Sequence, residues 1–212
     1  MSVVFVISAP SGAGKSTLAN AVLASIDKME FATSVTTRPP RASEIDGREY
    51  TFVTRKRFLE MRDKGEFLEW AEVFGHLYGT PTSAVERARA HGNDLLLDID
   101  VQGASSLVDK LPQAVRIFIL PPSATQLEQR LRQRSSDENT VIERRLSEAS
   151  REVGEYRFYD YIVINNELEA SVERLKAILL AERSKRERMK GAIAPILNDF
   201  GILRDAATET GE

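Results

Sequence analysis

Val3-Val4-Phe5-Val6-Ile7-Ser8-Ala9-Pro10-Ser11-Gly12-Ala13-Gly14-Lys15-Ser16-Thr17 is the stretch that decides the fold. Its five leading apolar residues, three of them valine, are too few to span a membrane and suit a strand buried on both faces of a parallel sheet. Glycines at 12 and 14 accept positive φ and let oxygens approach, so successive N–H groups there can turn inward as an anion-binding nest. The helix that follows, with Leu18, Val22 and Ile26 on one face, aims its positive dipole end at the same point. Residues Ala9, Pro10, Ser11, Gly12, Ala13, Gly14, Lys15, Ser16 and Thr17 therefore predict a site for the phosphates of a nucleoside triphosphate. Lys15 would reach the β- and γ-phosphates and the Ser16 hydroxyl would ligate Mg²⁺. The usual pattern G-x-x-x-x-G-K-[ST] has glycine where Ala9 stands, a departure without consequence if Ala9 keeps negative φ.

The chain of 212 residues, 42% apolar, is long enough for one α/β unit with a proper core. A net charge of −3 argues against a surface made for nucleic acid or anionic lipid, so phosphate ligands must be held by local Arg and Lys clusters. The absence of cysteine removes disulfides, thiolate catalysis and Cys-type zinc sites, and His76 and His91 alone make a His-based metal site a poor fit. The N-terminus lacks a basic segment and its apolar run stops at Ser8, so no signal or anchor is expected and the expected location is cytoplasmic.

Beyond the first helix, Phe31 to Val35 reads as one short strand leading into Thr36-Thr37-Arg38-Pro39-Pro40-Arg41, a loop stiffened by prolines. Extended pieces are expected at Glu49–Val53, Phe67–Phe74 and His76–Tyr78, around a helix capped by Thr54 and ended by Gly65. Such a β-rich stretch inside an α/β pattern reads as an inserted lobe. Thr80 and Pro81 predict a helix start, Thr80 as N-cap, running to about Gly92. Leu95-Leu96-Leu97-Asp98-Ile99-Asp100 is a second buried strand ending in two carboxylates of one parity. Residues 101–110 suit a short helix, and Val115–Leu120 a third strand stopped by Pro121-Pro122. Ser123 with Gln126 and Thr140 with Glu143 carry capping-box spacing for two helices, and Tyr161–Ile164 is the last strand. Leu168, Val172, Leu175 and Leu179 form the stripe of a closing helix, which residues 184–190 would extend into solvent. Pro195 and Gly201 interrupt the apolar stretch 192–203. Strands alternating with helices predict a parallel sheet with right-handed crossovers.

At a strand's carboxyl end, beside the phosphate loop, Asp98 and Asp100 are placed for ligand chemistry, with Asp100 a candidate for Mg²⁺ partly through water. The plainer role for Asp100 is to cap the next helix. Arg130, Arg134 and Arg145 lie on the two capped helices. Spacing alone makes them a solvated face, but a closing lid would carry them onto a transferring phosphoryl group and exclude water from it.

The set A-P-S-G-A-G-K-S, T-T-R-P-P-R, G-R-E-Y, F-L-E-W-A, Y-G-T, L-L-D-I-D-V-Q-G and the arginines around residues 135–139 resembles guanylate kinases from about Val3 to Arg183. The resemblance implies a P-loop NTPase-type core with a β-rich GMP-binding lobe at about 34–85, a helical lid at about 126–153 and an extension, 184–212, that inherits nothing. It implies transfer of the γ-phosphate of ATP to GMP or dGMP with Mg²⁺; the charge balance and the N-terminus predict no nucleic-acid or membrane partner, and monomer and homo-oligomer both stay open. By the same resemblance Arg38, Arg41, Tyr50 and Tyr78 would hold the GMP phosphate, Glu69 would read guanine, Ser34 and Thr80 would donate to its O6, and Asp98 would contribute to the same lobe. Lys15, Arg41, Arg134 and Arg145 would act on the moving phosphoryl group. Guanidinium forks suit phosphate oxygens, and Glu69 offers two acceptors to the N1–H and N2–H₂ edge of guanine, where adenine presents an acceptor. A kinase of ribose bisphosphate would not need Ser34, Glu69 and Thr80 together. A noncatalytic phosphopeptide-binding relative would not need an intact Lys15 and Ser16.

Overall fold

The computed structural model describes residues 2–41, 44–73, 75–134 and 139–202. In chain order, β1 (Val4–Ser8) runs into the phosphate loop and α1 (Lys15–Leu23), then come β2 (Met29–Phe31), β3 (Ser34–Thr36) and β4 (Tyr50–Phe52). Next are α2 (Arg55–Asp63), β5 (Phe67–Val73), β6 (His76–Pro81), α3 (Thr82–His91), β7 (Asp94–Asp98) and α4 (Val101–Ser106). The chain continues through β8 (Val115–Leu120), α5 (Ala124–Arg134), α6 (Asn139–Gly154), a short 3-10 turn, β9 (Tyr161–Ile164), α7 (Leu168–Arg183) and α8 (Arg186–Asp199).

Two sheets result. The main sheet has the order β2-β7-β1-β8-β9, and every pairing in it is parallel. This is an α/β fold of the P-loop NTPase type. Alternation along β1 sends Phe5 and Ile7 toward Leu18 and Val22 of α1 and Leu175 and Leu179 of α7. Val6 packs with Leu95, Leu97, Ala84 and Leu107 on the opposite face. Helices on both faces are why β1 is apolar up to Ser8 and β7 is apolar through Leu95, Leu96 and Leu97. The second sheet, ordered β4-β3-β6-β5, has its own small core of Val35, Phe58, Phe67 and Leu77. The Phe58 and Phe67 rings stack with centroids 4.5 Å apart.

The single strand expected over Phe31–Val35 is instead two strands in different sheets. Met29–Phe31 pairs with β7, and Ser34–Thr36 pairs with β4 and β6. The chain crosses between them at Ala32, whose N–H still donates to Leu96 O at 3.0 Å, and Thr33. Thr54 caps α2 as expected, accepting from the Arg57 N–H, and Gly65 follows with φ +69°. Thr80 caps nothing: β6 continues through Pro81 and α3 starts at Thr82. Ser123 accepts from the Gln126 N–H, whereas Thr140 lies inside α6, which includes Asn139. Leu168 is exposed because the buried side of α7 is set by Ser171, Leu175 and Leu179. Phe74 and residues 135–138 lie outside the described residues, as do the side chain of Arg134 and Leu203.

The stretch after Arg183 does not extend α7. Lys185 is extended (φ −58°, ψ 135°) and a separate helix, α8, follows, passing through Pro195. Its anchor is Glu182, fully buried, which accepts from the Tyr161 hydroxyl at 2.5 Å and pairs with Lys185 at 2.7 Å and with Arg188. Arg188 also donates to Glu182 O at 2.8 Å. Arg183 turns back to Asp94, 2.6 Å away, whose other oxygen accepts from the Val3 N–H at 2.7 Å. Within the run that reads as solvated, Lys185 and Arg188 are thus spent on a buried acceptor, while Arg186, Glu187 and Lys190 do face solvent. Arg188→Met should lower stability by about 1–3 kcal/mol, seen as a lower urea midpoint with turnover per folded molecule unchanged.

Candidate active site

The phosphate loop leaves β1 with Ala9 buried and makes a tight turn in which Ala13 N–H donates to Pro10 O at 3.0 Å. Gly12 and Gly14 have φ +89° and +92°, in the left-handed region that glycine alone adopts freely. Ala9 is not among the positive-φ residues, so its departure from the glycine pattern costs no strain. Gly14 also has no room for a side chain, since a Cβ there would lie 2.5 Å from Asn165 Nδ2. It is the N-cap of α1 and brings no side-chain cap, which leaves the first-turn N–H groups for an anion.

Lys15 crosses to the end of β7. Its Nζ donates to Ile99 O at 2.6 Å and pairs with the Asp98 carboxylate, whose other oxygen accepts from the Ser16 hydroxyl at 3.1 Å. Asp98, placed by resemblance with the GMP-binding lobe, therefore stands against the phosphate loop, while its charge also reaches Tyr50 across the cleft. Asp100 takes the plainer role: its Oδ1 caps α4 by accepting from the Gly103 N–H at 2.8 Å. It still lines the cleft, and its charge is felt by two carboxyls that face it.

One continuous cleft of about 970 Å³ joins the phosphate loop to the second sheet. Ser34, Arg41, Tyr50, Glu69 and Tyr78 line its far end. Thr80 and Arg38 sit behind that lining. The Thr80 hydroxyl is fully buried and donates to Glu69 Oε1 at 2.6 Å. Glu69 is 4% exposed, and its pKa is pushed up to about 7, chiefly by burial and further by the Asp100 charge, against the Thr80 hydrogen bond. Burial also raises the Tyr50 phenol, and the charge on Asp98 adds to it. Tyr50 and Tyr78 meet edge to face at 5.9 Å, with the Arg38 guanidinium 5.4 Å from the Tyr50 ring centre.

From α6 the cleft receives Arg144, Arg145, Glu148, Arg151 and Glu152. Arg145 thus reaches the site. Arg130 does not, because it donates to Ala13 O at 3.3 Å and to Asn165 O at 2.9 Å, bracing the phosphate loop from behind. Glu152 has its pKa raised to about 7, by burial first and then by Asp100.

The sequence model of the family described as guanylate kinase matches residues 1–182. The chain belongs to the guanylate kinase family. It is 54% identical over 186 residues to the guanylate kinase of Koribacter versatilis (strain Ellin345), covering 86% of this chain and 80% of that one. It is 50% identical over 206 residues to that of Chelativorans sp. (strain BNC1), covering 96% and 92%, an alignment that must run past Arg183 into the extension. The crystal structure of guanylate kinase from Anaplasma phagocytophilum superposes with a TM-score of 0.75 at 37% identity, covering 88% of this chain and 89% of that one.

Three residues of this guanylate kinase family member were not singled out from sequence. Asn165, at the end of β9, donates to Ala13 O at 2.8 Å. Glu44 accepts from Arg38 Nη2 at 2.7 Å and from the Arg41 N–H at 2.8 Å. Burial of Arg38 works to lower its pKa, but hydrogen bonds with Glu44 and Tyr78 outweigh it and the pKa is raised. Glu152 is the third. The R-x-x-R-x-x-E spacing of Arg38, Arg41 and Glu44 was a visible signal for one of them; an Asn after a strand and a Glu late in a helix were not.

Proposed function

We propose that the chain transfers the γ-phosphate of ATP to GMP or dGMP, releasing ADP and GDP or dGDP, with the donor at the phosphate loop and the acceptor in the second sheet. The observation that carries this is the buried Glu69–Thr80 pair in the same cleft as Lys15 and Ser16. Residues 9–17 hold ATP, with Lys15 released from Asp98 and Ile99 O to the β- and γ-phosphates. Arg38, Arg41, Tyr50 and Tyr78 hold the acceptor phosphate. Ser34 donates to guanine O6 while Glu69 accepts from N1–H and N2–H₂. Thr80, whose proton is committed to Glu69, acts by fixing that carboxylate.

Oxygen donors converge where a magnesium ion would sit: Ser16 Oγ and Asp98 in contact, with Asp100 nearby. Among the described residues no cluster of three His, Cys, Asp or Glu could cage a metal alone, which fits Mg²⁺ held by a hydroxyl, carboxylates, water and phosphates. Bound there, the ion neutralises charge on the transferring phosphates. The GMP phosphate is already nucleophilic, so the protein supplies position and charge: Arg41 and Arg145 border the path of transfer and Arg134 belongs to the same lid. The lobe spans about 34–85, the lid about 126–153, and both belong to a kinase unit of 3–183 followed by the extension. No helix among the described residues is long and apolar enough to cross a membrane. We place the enzyme in the cytoplasm, with no nucleic-acid partner.

Coupled ADP release across GMP, dGMP, AMP, CMP, UMP and ribose 1,5-bisphosphate tests the reading. GMP and dGMP should be the best acceptors, and consumption of another acceptor with GMP untouched would overturn it. Glu44→Ala removes the acceptor that aims Arg38, so the KM for GMP should rise about 10- to 100-fold with the KM for ATP unchanged.

A further inference from the structure

We propose that Gly103 is a positioning residue for guanine recognition: its bare Cα seats the Glu69 carboxylate. This rests on the reading of Glu69 as the group that accepts from the guanine edge. Gly103 is buried in α4, a core helix that packs against β5 of the second sheet. A Cβ built on it would lie 2.6 Å from Glu69 Oε2, 3.2 Å from Glu69 Cδ and 3.0 Å from Asp100 Oδ1.

Glu69 has little room to yield. Its other oxygen is held by Thr80 at 2.6 Å, and the residue is almost wholly enclosed. A methyl group at 103 would either turn the carboxylate away from Thr80 or lift β5 from α4. Both change where the two acceptor oxygens stand.

The backbone gives no reason for glycine here. Gly103 is absent from the positive-φ residues and sits in regular helix, where alanine is the better former. Its N–H, which caps to Asp100, would be retained by alanine. A Cβ would also stand 3.0 Å from Asp100 Oδ1, but the nearer contact, and the one below 3.0 Å, is with Glu69, and that is what the missing side chain serves. Through it, the base reader of the second sheet takes its register from the core helix that begins directly after β7, the strand carrying Asp98.

The test compares the parent, Gly103→Ala, Glu69→Gln and the double variant, by steady-state kinetics with GMP and ATP and by thermal melting. Gly103→Ala should melt no more than about 3 °C below the parent. Its KM for GMP should rise about fivefold or more, with the KM for ATP changed less than about twofold. Added to Glu69→Gln, it should raise the KM for GMP by less than about twofold, because the two act through one group. An unchanged KM for GMP, an equal rise for ATP, a penalty that persists in the double variant, or a larger loss of melting temperature would each overturn the proposal. If Glu69→Gln alone leaves GMP use intact, the guanine-reading assignment fails and this proposal with it. If Glu69→Gln impairs GMP use and Gly103→Ala does not, only this proposal fails.

Discussion

Lys15→Ala should reduce phosphoryl transfer about a thousandfold or more, while the protein remains folded. Lys15 is the one phosphate-loop side chain that brings a full positive charge to the donor, and it is held ready by Ile99 O at 2.6 Å and by Asp98. The nest N–H groups of the loop survive the substitution, so ATP binding should weaken less than turnover. The structural cost is bounded by Asp98, which loses its cation and keeps the Ser16 hydroxyl. Because Asp98 faces the cleft, where water can replace the lost cation, that cost stays near 1–2 kcal/mol, below the 3–5 typical of a sealed pair. ADP release, ATP binding by calorimetry and a melting curve check the three statements separately. Full turnover by the variant would contradict the role given to Lys15.

The contrast between Lys15 and Asp98 shows what was legible in the chain. Where function is carried by local chemistry, the residues announce it: glycines at 12 and 14 at positive φ, the lysine and serine after them, and a buried strand before. The parallel sheet was legible for the same reason, since each buried strand is a short apolar run with its own stop. What depends on how distant elements meet was not. Asp98 and Asp100 share a parity, yet the first, the last residue of β7, meets Lys15 and Ser16, while the second lies past the end of the strand and caps α4; where β7 stops is what distinguishes them. Thr80 looked like a helix cap because Pro81 follows it. Pairing with β5 overrode that local signal and turned its hydroxyl to Glu69. Between β2 and β3 the chain changes sheets within two residues, with no glycine or proline to mark the crossing. In the extension the solvated charges were legible, since Arg186, Glu187 and Lys190 are exposed, but the break after Arg183 and the pairing of Lys185 and Arg188 with buried Glu182 were not.

Glu69→Gln should raise the KM for GMP about 100-fold, from loss of a charged acceptor facing two donors, while leaving the KM for ATP nearly unchanged. The pH dependence sharpens this. Burial and the Asp100 charge hold the Glu69 pKa near 7, above the ordinary 4.5, so at neutral pH only about half of the free enzyme carries the carboxylate that guanine requires. kcat/KM for GMP should therefore climb as pH rises through 7, over and above the ionisation of the GMP phosphate near pH 6. The Glu69→Gln variant should keep the phosphate limb and lose the one at 7. Stability should move the opposite way. The folded state binds this proton more tightly than the unfolded chain does, so the contribution of Glu69 is fully present below pH 4.5 and is lost as pH rises through 7. Glu69→Gln should accordingly melt above the parent at pH 8, where the parent holds a buried charge, and lose that advantage at pH 4. A parent profile without a limb near 7, or a variant less stable than the parent at pH 8, would contradict this account, because the same desolvated carboxylate must both weaken the fold and read the base.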